Sequence, residues 1–215
     1  GETQTITGNV TITDDGIQRI LQRADGCTKE MFNVAGGAEL TLTSSSKDDT
    51  NPMLVIDGNK ENVQTNGYAP VVDMNQTDGV LNITPGVIVQ NNKSHNTGGV
   101  IFAGLNGTTA KSGGQATINI TGGCFKGNEV EYSVSQYLFG GCIYIESGCT
   151  LNISNAVFEN TTMVQNHTSG MTYGGVVSVR TNASHLYKGA NVAISNCIFK
   201  NTSVILLVIF LKSLP

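Results

Sequence analysis

Apolar and polar residues alternate along this chain in short runs of four or five positions, and the runs recur in a fixed order. The clearest set is ELTLT (39–43), VLNIT (80–84), TINIT (117–121), TLNIS (150–154) and NVAIS (191–195). A first set precedes it: MFNVAGG (31–37), VVDMN (71–75), VIFAG (100–104), CIYIE (142–146) and VVSVR (176–180). A third set follows it: LVIDGN (54–59), VIVQNN (87–92), CFKGN (124–128), VFENT (157–161) and IFKNT (198–202). Period-two alternation sends successive side chains to opposite faces, so each run predicts a short strand with one buried face. In the last three copies a glycine pair precedes the first run: Gly98 and Gly99, Gly140 and Gly141, Gly174 and Gly175.

Aligning the five copies predicts which positions face inward. In the first strand these are Phe32/Val34, Val72/Met74, Ile101/Ala103, Ile143/Ile145 and Val177/Val179, while Asn33, Asp73, Phe102, Tyr144 and Ser178 share the outward slot. In the middle strand Leu40/Leu42, Leu81/Ile83, Ile118/Ile120, Leu151/Ile153 and Val192/Ile194 face inward, with Thr41, Asn82, Asn119, Asn152 and Ala193 outward. In the third strand Ile56, Val89, Phe125, Phe158 and Phe199 face inward.

Three strands and three turns make one triangular coil, which cannot bury its inward face alone. Stacked coils can, because each lays its strands against the next at roughly 4.8 Å and the inward side chains merge into one core. The expected fold class is therefore all-β, a right-handed parallel β-helix of about five three-stranded rungs plus an N-terminal cap. The copies are unevenly spaced because turns can lengthen into loops at little entropic cost. The long inserts, 60–70, 105–115, 129–139, 162–173 and 181–190, are expected to be such loops. The glycine pairs are expected to turn sharp corners with positive φ. Asn92, Asn128, Asn160 and Asn201 are expected to bond neighbouring backbone in the turns and to stack as ladders. Residues 1–30 are expected to form a cap or an incomplete rung, leaning to strand over IQRILQRA, and 31–203 the repeats. The apolar 204–215 tail reads either as a truncated further first strand or as a gene-model artefact. On either account the chain is expected to be a fragment of a longer β-helix with an adhesive C-terminal edge.

Composition agrees with this picture. Gly numbers 26, Trp is absent, and charged residues make up 13%, about half the usual share. Net charge is −4, with twelve acids and six bases in 1–97 against four and six in 98–215. No basic run suggests nucleic acid, and no apolar run approaches the ~20 residues of a membrane helix. A signal peptide is expected to be absent or already removed. The five cysteines match no metal-binding spacing. Cys197 is expected to point inward, Cys124 is two rungs out of reach of it, and Cys142 and Cys149 flank one turn where a bridge is weighed against free thiols.

The phrases GGVI, GGCI and GGVV, followed by FKGN, FENT and FKNT, resemble the GGAI and FxxN repeats of the polymorphic outer-membrane-protein family. The resemblance spans roughly 31–203; Phe125–Asn128 fits FxxN in full, whereas Phe158 and Phe199 have their Asn one residue early. It implies a secreted or surface-exposed adhesin, of a kind often attached to a separate anchor or barrel. It also implies a host-cell surface protein or a carbohydrate as partner.

The outward pair Phe102 and Tyr144 is the candidate binding platform, weighed against burial under a packed loop. No cofactor or metal is expected. His95, His167 and His185 fall in expected loops without ligand spacing. A β-helix polysaccharide lyase or hydrolase is the catalytic alternative, and Glu146, Glu159 and Arg180 are the residues it would use. Glu129 and Glu131 fall in an expected loop, and an Arg180–Glu146 surface ion pair is the plainer role for those two residues. A structural stalk without a ligand is the third reading. Eleven Asn-x-Ser/Thr sequons occur, and in a secretory eukaryotic setting loop sites such as Asn106, Asn166 and Asn182 would be modified first.

Overall fold

The computed structural model describes residues 1–62, 69–74, 77–95, 98–104, 115–132, 137–166, 170–182, 189–202 and 206–211. Asn75, Asn106, His167 and His185 lie outside the described residues. The chain is a right-handed parallel β-helix with three long sheets of seven, six and six strands, all paired parallel. Every predicted register recurs. Asp73, Phe102, Tyr144 and Ser178 stand side by side in the first sheet. Thr41, Asn82, Asn119, Asn152 and Ala193 do so in the middle sheet. Ile56, Val89, Phe125, Phe158 and Phe199 do so in the third. A single core results, because each inward slot is filled by apolar side chains at the same height in successive rungs. Phe125 stacks on Phe158 at 4.8 Å and Phe158 on Phe199 at 5.3 Å.

The ends and inserts carry further strands. Gln4–Ile6, Asn9–Ile12 and Arg19–Gln22 each join one of the three sheets in register, so the first thirty residues form a full rung where a cap or incomplete rung was expected. The described residues thus make six three-stranded rungs. Leu206–Leu211 then continues the first sheet beside Val177–Asn182. Val192, aligned with Leu151, is nonetheless 37% exposed, because its strand is the last of the middle sheet among the described residues.

Of the inserts after the third strand, 129–139 and 162–173 carry strands where loops were expected, whereas 60–70 opens with a short 3-10 turn, Lys60–Asn62. Lys93–His95, Glu129–Tyr132 and Thr162–Gln165 form a lateral three-stranded sheet, and Tyr137–Phe139 pairs with Met171–Tyr173 in a lateral two-stranded one. Glu129, Glu131 and His95 therefore sit on strands, not in loops. Runs such as EVEY and TMVQ are too short for sequence alternation to set them apart from a loop. They become strands because the rung beside them supplies a hydrogen-bonding edge.

The turn asparagines divide into two jobs. Asn91, Asn160 and Asn201 take positive φ, as does Gly127, and they turn the corner directly after the third strand. Asn160 and Asn201 also form a ladder step, Asn201 Nδ2 donating to Asn160 Oδ1 at 2.9 Å. The next position is a buried slot holding Asn92, Asn128 and Thr161. Asn128 accepts from the Asn92 amide at 3.0 Å and donates to the Val89 carbonyl at 3.0 Å. The one-residue offset in the FxxN phrases is the difference between these two slots. The longest asparagine ladder lies elsewhere, on the outward face of the middle sheet. There Asn82 donates to Glu39 at 2.8 Å, Asn119 to Asn82 at 3.0 Å and Asn152 to Asn119 at 3.0 Å.

Buried Arg23 ties the first rungs together. Its guanidinium donates to Asn92 Oδ1 at 2.5 Å and to the Ala69, Pro70 and Gly58 carbonyls at 3.1, 3.0 and 3.4 Å. Burial lowers it to about 10, so it stays charged at neutral pH. Arg23→Ala would strand several buried acceptors in a cavity, and we expect a loss of about 3 kcal/mol in denaturant unfolding. An unchanged midpoint would show that the tie is not made in solution.

Candidate functional site

The glycine pairs set the site in place. Gly98, Gly140 and Gly174, the first of each pair, all take positive φ. The second approaches backbone of the next rung: a Cβ on Gly99 would lie 2.0 Å from the Gly141 carbonyl oxygen, and one on Gly141 would lie 2.2 Å from that of Gly175. Two different needs therefore select glycine twice. The corner folds the lateral Tyr137–Phe139 and Met171–Tyr173 strands back against the outward face of the first sheet. Gly98 N–H donates to the Phe139 carbonyl and Gly140 N–H to the Tyr173 carbonyl, at 3.0 and 2.9 Å.

This fold-back builds an aromatic column. Phe102 stacks on Tyr144 with ring centroids 5.5 Å apart and planes 8° from parallel, as the shared outward slot implies. Phe139 then stacks on Tyr144 at 5.0 Å, Tyr173 on Phe139 at 5.3 Å, and Tyr137 on Tyr173 at 6.0 Å. Tyr137 and Phe139 alternate with buried Leu138, so one strand both anchors the lateral sheet and presents two rings. Offset stacks of this kind are worth ~1 kcal/mol per pair beyond area burial.

An open platform of Phe102 and Tyr144 is corrected by this arrangement. Tyr144 is only 2% exposed, covered by Phe139, and Phe102 is half-buried. The exposed members are Tyr137, at 43%, and the neighbouring Met171, whose sulfur accepts from the Tyr173 hydroxyl at 3.1 Å. Sequence alignment missed Phe139 and Tyr173 because they sit in inserts of unequal length. Their signal is position: each immediately precedes a glycine pair, in YLFGG and MTYGG.

Glu146 and Arg180, in register on adjacent strands, supply the polar edge. Tyr144 Oη donates to Glu146 Oε1 at 2.6 Å, and Arg180 Nη1 lies 3.7 Å from the same oxygen. Arg180 also stacks over Phe139, with Cζ 5.8 Å from the ring centroid. Burial, and then the Glu146 charge, push the Tyr144 hydroxyl well above the usual tyrosine range, so it remains a donor. Gly104 completes the packing: a Cβ there would lie 3.0 Å from the Phe102 ring and 3.1 Å from Glu146.

The other candidates do not converge on this place. Glu159 belongs to the third sheet, where it faces Lys126 at 3.6 Å, whereas Glu146 belongs to the first sheet. Lys93 pairs with Glu129 at 3.2 Å and with Glu131 on the lateral three-stranded sheet, and Asn166 donates to Glu131 at 2.9 Å. Burial holds the neighbouring His95 below the usual imidazole value. All five cysteines are free thiols, so Cys142 and Cys149 form no bridge, and Cys197 is half-buried. Burial raises Cys124 and Cys149 to about 11 and pushes Cys142 well above the usual thiol value, which keeps these thiols protonated at neutral pH. Among the described residues no three His, Cys, Asp or Glu stand close enough to hold a metal ion, and no helix is long and apolar enough to cross a membrane.

No protein-family model matches the chain, and neither a curated protein nor a solved structure matches it. The β-helix is displayed by the in-register ladders themselves.

Proposed function

We propose that this chain is a non-catalytic recognition scaffold of the adhesin kind, secreted or displayed at a cell surface. On this reading its repeats are those of the polymorphic outer-membrane-protein type. The observation that carries the reading is the aromatic column on the outward face of the first sheet, which carries Arg180 over Phe139 and ends in exposed Tyr137. Tyrosine and arginine on a rigid support are the side chains from which binding hot spots are built, since they offer large area with few rotors to freeze. The parallel sheets supply that support. The acid–base alternative lacks similar support: glycoside chemistry uses two carboxyl groups across one bond, and Glu146 and Glu159 face out from different sheets.

The test is saturable binding of labelled chain to host-type cells and to an immobilised polysaccharide panel, with product release followed in the same wells. Binding without turnover is expected. A Tyr137→Ala/Tyr173→Ala variant should bind at least about tenfold more weakly, as for a hot-spot pair, while its far-ultraviolet circular dichroism is unchanged. Release of product, or binding that survives the double substitution, would overturn the proposal.

A further inference from the structure

We infer that the outward face of the middle sheet is an ice-binding surface, a second function that stands apart from the recognition reading above. Thr41, Asn82, Asn119 and Asn152 form one column of this face. Thr43, Thr84, Thr121, Ser154 and Ser195 form a second, two residues further along the strands. In-register pairing repeats these hydroxyls and amides at roughly 4.8 Å from rung to rung and at roughly 6.7 Å from column to column. Ice presents its oxygens on a two-dimensional lattice whose repeats are of this order, so neighbouring groups of the face can engage neighbouring lattice sites. The side chains are also held in place before any ligand arrives. The asparagines bond one another at 3.0 Å, and Thr84 Oγ1 donates to Thr43 Oγ1 at 2.9 Å. A face fixed by its own bonds loses little rotamer entropy on adsorption.

The chemistry of the face narrows the partner. Among the outward positions of its six described strands Glu39 is the one charged side chain, and it already accepts from Asn82 at 2.8 Å. Val80 and Ala193 are the only apolar members there, so the apolar centre that a protein partner needs is missing from these strands. No aromatic ring stands among them to stack on a sugar. What such a face holds is water. Between the two columns runs a groove of about 260 Å³, lined by Asn119, Thr121, Asn152, Ser154, Ala193 and Ser195. At about 30 Å³ per molecule it has room for several waters, with amides on one side and hydroxyls on the other to hold them. Water ordered at the spacing of the rungs is the layer through which the face joins the crystal.

The experiment cools the full chain with a single ice crystal in a nanolitre osmometer and reads the gap between the melting and growth temperatures. Crystal shape and the coarsening of polycrystalline ice are followed alongside. The chain is expected to open a gap that widens with its concentration, to facet the crystal and to slow coarsening. Thr121→Tyr lifts a ring out of the face at an exposed position, so it should keep the circular dichroism spectrum and lose most of the gap. Lys126→Tyr puts the same ring on the exposed outer side of the third sheet and should keep the gap. Ice growth no different from that in serum albumin at equal concentration would overturn the inference. So would a gap that survives Thr121→Tyr, or one that falls equally in both variants. Adsorption to crystalline cellulose or chitin that Thr121→Tyr abolishes, with no effect on ice, would also overturn it, in favour of a solid-glycan partner. None of these outcomes bears on binding through the aromatic column, which Tyr137→Ala/Tyr173→Ala reads separately.

Discussion

Ile153→Asp is expected to abolish the folded state under ordinary conditions. Ile153 is 2% exposed and pairs in register with Ile120 on one side and Ile194 on the other. A carboxylate there must either lose its hydration in an apolar core or drag the rung open, and the expected loss exceeds about 4 kcal/mol. The adjacent residue gives the contrast. Asn152 faces outward and donates one hydrogen bond to Asn119, so Asn152→Ala should cost about 1 kcal/mol or less. Thermal unfolding followed by circular dichroism separates the two. A wild-type melting curve for Ile153→Asp would refute the register of the middle sheet.

The second large effect is Gly141→Ala. Its φ is not the issue; the new methyl would sit 2.2 Å from the Gly175 carbonyl oxygen and 2.7 Å from Thr161 Cγ2. Backbone cannot rotate away as a side-chain tip can, so the rung spacing itself must give, at a cost of about 3 kcal/mol. The same displacement moves Phe139 off Tyr144, so the variant should also lose the near-ultraviolet signal of the stacked rings. Gly8→Ala is the control. A Cβ there meets nothing within 4 Å, and its midpoint should be unchanged. Equal midpoints for the two variants would show that the corner glycines do not pack rung to rung as described.

The candidate site was legible in part. Tyr144, Phe102, Glu146 and Arg180 could be placed together from the sequence, because they occupy repeat positions whose neighbours follow from alignment. Phe139, Tyr173 and Tyr137 could not. They lie in inserts, where nothing in the pattern says how the chain returns to the helix. Tyr144 shows the consequence: its outward direction followed from alternation, but its burial depended on Phe139, a ring delivered from outside the repeat. Asn92 and Asn160 show it at a smaller scale, since one asparagine-rich turn holds both a positive-φ corner and a buried plug, and composition does not separate them.

By itself, then, the sequence determined the fold class, the strand order within a rung and the inward and outward faces of all three sheets. It could do so because stacking imposes one local rule, period-two alternation repeated at each level, and a local rule is written in neighbouring residues. Only the tertiary structure decided that the first thirty residues are a rung, that the inserts pair as two lateral sheets, and that five aromatic rings meet at one place. Those outcomes depend on hydrogen-bonding edges and ring faces brought together from segments tens of residues apart. Such contacts exist only once the coils have stacked.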